Sequence, residues 1–195
     1  MIKKAKKWLG LTILRLAGWE MKDPFPHMVQ KMVIIQFPHT SFTDYYIAKM
    51  VQMIYDIPVR FMMKAELFRF PLGPILRNLG GVPIHRDRKQ NLVEQLVERF
   101  RSQSQFVLVI TPEGTRGPTD NIKLGFYHIA QAADVPILMI KLNYLRKWIF
   151  FRDLFYTTGD IQKDIDTIAE YFKDGVGRFP ENGFFSNGKT IKIDK

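Results

Sequence analysis

Segments typical of buried strands alternate with segments typical of amphipathic helices from Pro26 onward, and this alternation limits the possible folds more than any other feature. Short apolar runs rich in β-branched residues predict strands, and apolar residues repeating every three or four positions predict helices. Strands are predicted over residues 32–37, 59–63, 82–85, 106–111 and 136–142, with a further strand or amphipathic segment over 148–156. Helices are predicted over residues 43–55, 71–79, 89–102, 122–133 and 160–173, followed by an irregular tail from Gly175. Repeated strand–helix units of this length predict an α/β domain with a central, mostly parallel or mixed sheet flanked by helices.

The composition indicates one domain with a basic surface. The 195 residues suffice for one domain with a sizeable core, and neither a repeat nor a dividing linker is visible. The chain has 29 lysines and arginines against 19 aspartates and glutamates, a formal net charge of +10. This charge favours acidic partners such as nucleic acid, anionic lipid or an acidic carrier protein, and it does not choose among them. The absence of cysteine excludes disulfides and thiolate chemistry.

Residues 1–22 are predicted to form a basic amphipathic helix that lies in a membrane interface. Four lysines precede a mostly apolar stretch bounded by Trp8 and Trp19, and both tryptophans are expected near the level of the lipid headgroups. A helix packed on its own domain and a signal peptide are the alternatives. No apolar run reaches the roughly 18–20 residues of a spanning helix. Residues 23–195 are expected to form the domain that carries the functional site.

A histidine and an aspartate follow the first predicted strand. His39 comes just after residues 32–37, at the carboxyl end of a strand, where α/β proteins build their sites. Asp44 lies five positions on, in the first turn of the next predicted helix, so the loop can fold its carboxylate back onto the imidazole. The other imidazole nitrogen can then act as a general base on a hydroxyl that the substrate brings. An aspartate that only caps the helix is the competing interpretation.

Two further polar clusters lie at the ends of predicted strands. A glycine turn leads into the short strand that ends at Arg86. The strand over residues 106–111 is followed by Glu113, Gly114, Thr115 and Arg116. If the clusters converge, Arg86 and Arg116 can bind a phosphate, and Glu113 can fix an arginine or bind a substrate hydroxyl. Turn residues and surface ion pairs are the competing interpretation.

Four blocks of the sequence resemble the motifs of the glycerol-3-phosphate and lysophosphatidic acid acyltransferase family. The first is a histidine–x4–aspartate motif formed by His39 and Asp44, and the second ends at Arg86. The third is the glutamate–glycine–threonine–arginine run that ends at Arg116, and the fourth is the apolar segment around Pro136. All four occur in order across about residues 33–139. The second block departs from the family pattern, because a histidine stands where an acidic residue is common before the arginine.

The resemblance implies an O-acyltransferase and a role for each matching residue. His39 would act as the general base on the acceptor hydroxyl, and Asp44 would hold it. Ser41 and Lys123 would support the site, the latter from a lysine–x–glycine segment similar to the family's. The glycerol phosphate of the acceptor would be bound by residues of the second and third blocks: Arg86, Glu113, Gly114, Thr115 and Arg116.

The resemblance, to compact bacterial-type members of the family, also implies substrates and a place of action. The acyl group would come from acyl-ACP or acyl-CoA, a co-substrate, with no bound cofactor and no metal. The acceptor would be a lysophospholipid, with 1-acylglycerol-3-phosphate expected first and another lipid such as an aminolipid as the alternative. The enzyme would be peripheral, at the cytoplasmic face of a membrane, with the lipid surface and acyl carrier protein, but not nucleic acid, as partners. A non-catalytic lipid-binding protein is the remaining alternative, and the oligomeric state is open.

Overall fold

The computed structural model describes residues 2–85, 92–185 and 188–191, and it confirms an α/β architecture. The strands within these residues are β1 (Glu20–Met21), β2 (Lys31–Phe37), β3 (Val59–Lys64), β4 (Gly81–Ile84), β5 (Phe106–Ile110), β6 (Ile137–Asn143) and β7 (Trp148–Phe151). The α-helices are α1 (Ile2–Leu16), α2 (Thr43–Tyr55), α3 (Leu72–Asn78), α4 (Leu92–Ser102), α5 (Gly125–Ala133) and α6 (Ile161–Phe172). Short 3-10 helices lie at Ala65–Phe68 and Pro180–Asn182.

The strands form one mixed sheet in the order β1-β7-β6-β2-β5-β3-β4. Neighbouring strands are parallel, except that β6 and β7 are antiparallel. β2 is central, and its Val33 pairs with Leu108 of β5 and Ile137 of β6. Because parallel strands end at the same edge of a sheet, the segments that follow β2, β5 and β6 meet at its carboxyl edge.

Helices cover both faces of the sheet. From β2 to β4 the chain crosses the sheet in one direction, through α2 and α3. From β4 to β6 it returns in the other direction, through α4 and α5. Because such crossovers are right-handed, α2 and α3 lie on one face of the sheet and α4 and α5 on the other. α1 packs on α2, and Leu14 shares an apolar core with Ile47 there. α6 lies on the other face, where Ile168 shares a core with Leu96 and Phe126. The face covered by α1, α2 and α3 is called the front face below.

The N-terminal helix is confirmed, and it packs on the domain while it exposes apolar side chains on its other side. A Cβ atom on Gly10 would lie 2.9 Å from Ile54 Cγ1, so α1 approaches α2 closely at this point. Trp8 and Leu16 are 67% and 84% exposed. Trp19 is buried, and its ring meets that of Tyr144 edge to face at 4.8 Å. The prediction that both tryptophans lie at headgroup level is therefore wrong for Trp19.

The predicted elements are confirmed with small shifts at their ends where the structure describes them. α1 ends at Leu16, so the predicted helix over residues 1–22 is too long at its carboxyl end. Residues 20–21 instead form β1, which exists through its pairing with β7, and two residues are too few to show a strand period in the sequence. The predicted start of the helix at residues 89–102 lies outside the described residues. Within the described ranges, no helix is long and apolar enough to span a membrane.

Candidate active site

His39 and Asp44 come together at the carboxyl edge of the sheet. His39 lies two residues after β2, and Asp44 is the second residue of α2. The Nδ1 atom of His39 is 3.1 Å from Oδ2 of Asp44. Because a carboxylate only accepts hydrogen bonds, Nδ1 is the donor, and in a neutral imidazole Nε2 then keeps a lone pair. The His39 side chain is 21% exposed and that of Asp44 only 1%, so the imidazole is accessible while the carboxylate is shielded.

The loop of residues 38–43, called the His39 loop below, holds the carboxylate of Asp44. Oδ2 accepts hydrogen bonds from the backbone nitrogens of Thr40 at 2.9 Å and Ser41 at 3.0 Å. These donors precede the helix, so Asp44 orders the loop and is not a helix cap. Ser41 supports the start of α2, since its hydroxyl accepts from the Thr43 nitrogen at 3.1 Å.

Tyr144 binds the other oxygen of the same carboxylate. It directly follows β6, and its hydroxyl donates to Oδ1 of Asp44 at 2.5 Å. Burial first, and then the hydrogen bond to Asp44, raise the pKa of Tyr144 far above its ordinary value of 10.0, so the hydroxyl remains a donor. Tyr144 is not among the residues predicted from the sequence. The rule that points to His39 could have found it, because β6 lies beside β2 and ends at the same edge.

Glu113 holds the His39 loop from the direction of β5. Its Oε2 accepts from the His39 backbone nitrogen at 2.6 Å, and its Oε1 accepts from the Phe184 nitrogen at 3.2 Å. Glu113 is 3% exposed, and burial raises its pKa above the ordinary value of 4.5, although the two backbone donors oppose the shift. The hydrogen bonds of Glu113 are thus to the protein's own backbone. Its expected contact with an acceptor lipid stays a prediction.

The C-terminal segment of residues 176–185, for which the sequence suggests no role, packs on the His39 loop. The Phe179 nitrogen donates to the Thr40 hydroxyl at 3.2 Å, and the Arg178 guanidinium donates to the Thr43 hydroxyl. A Cβ atom on the buried Gly177 would lie 2.5 Å from Oγ1 of Thr40. This segment therefore braces the loop that carries the base, and it does so partly through a glycine that leaves room for Thr40.

A cavity of about 890 Å³ adjoins the dyad. Its lining is largely apolar and includes Val51, Phe61, Met63, Val109, Phe126 and Ile129. His39, Asp44, Gly114 and Lys123 also line it. Gln36 is a buried polar residue in this wall, with 4% of the residue exposed. A cavity of this size and character can hold an alkyl chain with its polar end near His39.

Gly114 and Lys123 meet at one wall of this cavity. Gly114 has a φ of +67°, and a Cβ atom there would lie 3.0 Å from the ammonium nitrogen of Lys123. Glycine is favoured here both by the backbone conformation and by the close approach of the lysine. Lys123 thus lines the same cavity as the dyad, where its ammonium group can attract an anionic substrate.

Arg116 connects the third sequence block to the first. It is exposed, and its guanidinium lies 3.6 Å from the ring centroid of Phe42 in the His39 loop. Thr115 is also exposed, and its hydroxyl accepts from the Gly117 nitrogen at 3.2 Å. Convergence is thus observed for the first and third blocks. Arg86 falls among residues 86–91, outside the described part of the chain.

The arrangement is suited to general-base catalysis on a hydroxyl. It combines an accessible imidazole, a shielded carboxylate, an apolar cavity and exposed cationic groups at one edge of the sheet. In the described ranges, no three histidine, aspartate or glutamate side chains are grouped as metal ligands. The site thus contains the groups that an enzyme needs to activate a hydroxyl.

Comparison with known proteins identifies the family. The sequence profile of the Acyltransferase family matches residues 20–142, and the chain belongs to this family. No curated protein sequence matches the chain. Among solved structures, the fold is similar to the crystal structure of the 1-acyl-sn-glycerophosphate (LPA) acyltransferase PlsC from Thermotoga maritima. The two share 15% sequence identity with a TM-score of 0.57, over 87% of this chain and 76% of the other.

Proposed function

We propose that the protein transfers a fatty acyl group from a thioester, acyl-ACP or acyl-CoA, to a free hydroxyl of a lysophospholipid, with 1-acylglycerol-3-phosphate as the first candidate acceptor. The observation that carries the proposal is the His39–Asp44 pair, 3.1 Å apart, beside the apolar cavity of about 890 Å³. Membership of the Acyltransferase family supports the reaction class. Similarity to the fold of a lysophosphatidic acid acyltransferase supports the choice of acceptor.

In the proposed reaction, Nε2 of His39 accepts the proton of the acceptor hydroxyl as its oxygen attacks the thioester carbonyl carbon. The new C–O bond gives a tetrahedral oxyanion, which collapses with cleavage of the C–S bond. The imidazolium then returns its proton to the leaving thiolate. Asp44, fixed by Tyr144 and by the loop nitrogens, keeps the imidazole in the required tautomer and stabilises its charged form.

Binding of the acceptor phosphate is assigned to the cationic groups near the dyad. Lys123 lines the cavity, and Arg116 stacks on the His39 loop, so both can meet an anion brought to His39. Arg86 is proposed for the same task from its place in the second block. Glu113, Gly114 and Thr115 would shape the acceptor pocket, with Glu113 acting also through the His39 backbone.

The partner proposed for this enzyme is the surface of an anionic membrane at its cytoplasmic face. α1 exposes Trp8, Leu9, Ile13 and Leu16, which is the pattern of a helix that lies in a lipid interface. The net charge of +10 favours anionic headgroups and would also suit an acidic acyl carrier protein as the donor. A peripheral position would let the acceptor pass from the bilayer to the cavity.

The test measures thioester consumption by the purified protein with acyl-ACP and acyl-CoA, with and without 1-acylglycerol-3-phosphate. Turnover that requires the acceptor and is lost in His39→Ala supports the proposal and identifies the donor. His27→Ala is the matched control, because His27 is exposed and is not among the residues that line the cavity. Thioester loss without any acceptor would indicate a hydrolase. If no lysophospholipid is acylated, aminolipid acceptors are tested before a non-catalytic lipid-binding role is adopted.

A further inference from the structure

A second apolar surface lies on the front face, away from α1. The segment of residues 64–79, called the α3 segment below, consists of the last residue of β3, a 3-10 helix and α3. Five of its large apolar side chains are exposed: Leu67 (45%), Phe70 (91%), Leu72 (55%), Ile75 (53%) and Leu79 (51%). Large apolar side chains clustered in this way on a soluble domain mark an interaction surface.

The charges of the α3 segment favour an anionic partner. Lys64, Arg69 and Arg77 are exposed, and Glu66 is the one acidic residue among them. Basic side chains interleaved with exposed leucine, isoleucine and phenylalanine are typical of segments that bind the headgroup region of anionic bilayers. A protein partner matching this surface, such as an acidic carrier protein, would need an apolar groove edged with acidic residues, and such a partner would leave vesicle binding unchanged when the surface is altered.

The position of the α3 segment relates it to the cavity. Lys64, which opens the segment, lines the cavity, as does Tyr45 of α2, which is 48% exposed. The cavity wall therefore includes exposed residues of both α2 and the α3 segment, and an opening between them would face the same side as this surface. α1 packs on α2, and α3 packs on β4.

We infer that the α3 segment is a second membrane contact, which inserts its apolar side chains into an anionic bilayer. With α1 it would place the opening of the cavity against the lipid, so that an acyl chain could enter without crossing water. This inference rests on the proposed function for its lipid substrate. The membrane contact itself can be tested without any turnover.

The test uses the absence of native cysteine. Phe70→Cys is labelled with an environment-sensitive fluorophore and mixed with vesicles of equal parts phosphatidylglycerol and phosphatidylcholine. We expect a blue shift and quenching by lipids that carry quenchers on their acyl chains. Tyr156→Cys is the matched control, since Tyr156 is also a largely exposed aromatic residue (58%) outside the segment, and its label should show neither effect.

A second measurement compares vesicle binding of variants by sedimentation. A triple serine variant, Phe70→Ser/Leu72→Ser/Ile75→Ser, should bind the same vesicles at least roughly tenfold less tightly than the wild type. A triple apolar variant, Phe70→Leu/Leu72→Ile/Ile75→Leu, should bind them as the wild type does. Arg69→Gln should weaken binding roughly fivefold with phosphatidylglycerol present and not with phosphatidylcholine alone. Unchanged binding of the serine variant, together with an unshifted label at residue 70, would overturn the inference. Self-association of the wild type that is absent in the serine variant would also overturn it, because the surface would then bind a second copy of the chain.

These outcomes are separate from those of the acyltransferase test. A protein that inserts the label at residue 70 but acylates nothing would retain the inferred membrane contact and lose the proposed reaction. A protein that acylates detergent-dispersed acceptor but does not insert the label would retain the reaction and lose the contact.

Discussion

The hydroxyl of Tyr144 donates a 2.5 Å hydrogen bond to Oδ1 of Asp44, a residue 100 positions earlier in the chain. The other carboxylate oxygen, Oδ2, faces Nδ1 of His39 and the nitrogens of the His39 loop. Each oxygen of Asp44 therefore has its own donors, and the orientation of the carboxylate is fixed from two strands of the sheet, β2 and β6. A carboxylate held in this way can orient the imidazole without rotating away from it.

Replacing Tyr144 with phenylalanine should lower kcat by about tenfold and leave the acceptor KM nearly unchanged. The reason is that a hydrogen bond to a charged group contributes about 1.5–3 kcal/mol, and part of this is expected to support the imidazolium formed in the transition state. Steady-state kinetics of thioester consumption measure both parameters.

Tyr171→Phe is the matched control for that substitution. Tyr171 also carries a buried hydroxyl, and it has no hydrogen-bond partner among the described residues. Its removal should leave kcat unchanged and keep or slightly raise the free energy of unfolding. Equal kcat in the two phenylalanine variants would show that the Tyr144 hydroxyl does not act on the dyad.

Substituting Glu113 with glutamine should change how stability depends on pH. Burial raises the pKa of Glu113 in the folded protein, so its contribution to stability is fully present below the ordinary value of 4.5 and declines as pH rises through the raised value. Glutamine does not titrate and can accept from only one of the two backbone nitrogens. The variant should thus be less stable than the wild type near pH 4, and the difference should narrow toward neutral pH.

Urea unfolding at a series of pH values measures this difference. If the difference in the free energy of unfolding between wild type and Glu113→Gln is constant across the pH range, the pKa of Glu113 is the same in the folded and the unfolded protein. Activity should also fall in the variant at every pH. One of the two backbone N–H groups that donate to Glu113 then faces an amide NH2 group, so a hydrogen bond that holds the His39 loop is lost.

The position of the dyad was predictable, while its supports were not. His39 lies after a strongly apolar strand, and a parallel sheet brings such positions to one edge whatever the details of packing. Glu113 and Asp44 instead bind backbone nitrogens, which every residue except proline has, so no sequence pattern indicates the pairing. The end of β6 places Tyr144 at the same edge, but its bond to Asp44, 100 residues earlier, follows only once β6 is known to lie beside β2.

The fold shows the same division between local and distant determinants. The bounds of α2 follow from local apolar periodicity and agree with the prediction. No local sequence pattern around Trp19 shows whether this tryptophan is buried or faces lipid. Its burial depends on β1 pairing with β7 and on the ring of Tyr144, contacts that form only in the tertiary structure.

Gln36→Leu should make the protein more stable and less active. Gln36 is 4% exposed and lines the largely apolar cavity, so replacing its amide with an apolar group of similar size should raise the free energy of unfolding. If the amide binds a polar group of a substrate in the cavity, kcat/KM should fall about tenfold. Thermal unfolding measures the stability, and steady-state kinetics on the same preparation measure kcat/KM. A stabilised variant with full activity would show that Gln36 lines the cavity without binding the substrate.

Gly177→Ala tests whether the C-terminal segment braces the His39 loop. The added methyl group would overlap Thr40, whose side-chain oxygen would be 2.5 Å away, and so displace a residue whose nitrogen binds Asp44. We expect at least a tenfold loss of kcat, larger than the loss from Thr40→Ala. The double variant Gly177→Ala/Thr40→Ala should recover activity toward the level of Thr40→Ala, because it removes the overlapping atoms. Additive losses would argue against a direct contact.

Two leucines of α1 separate the structural role of this helix from its membrane role. Leu14 is 4% exposed, so Leu14→Ala should lower the free energy of unfolding by about 2–4 kcal/mol. Leu16 is 84% exposed, so Leu16→Ser should leave that free energy within about 0.5 kcal/mol of the wild type. Vesicle sedimentation should give the reverse order, with Leu16→Ser binding anionic vesicles more weakly than a folded sample of Leu14→Ala does. If Leu16→Ser binds vesicles as the wild type does, the exposed side of α1 is not the surface that meets the lipid.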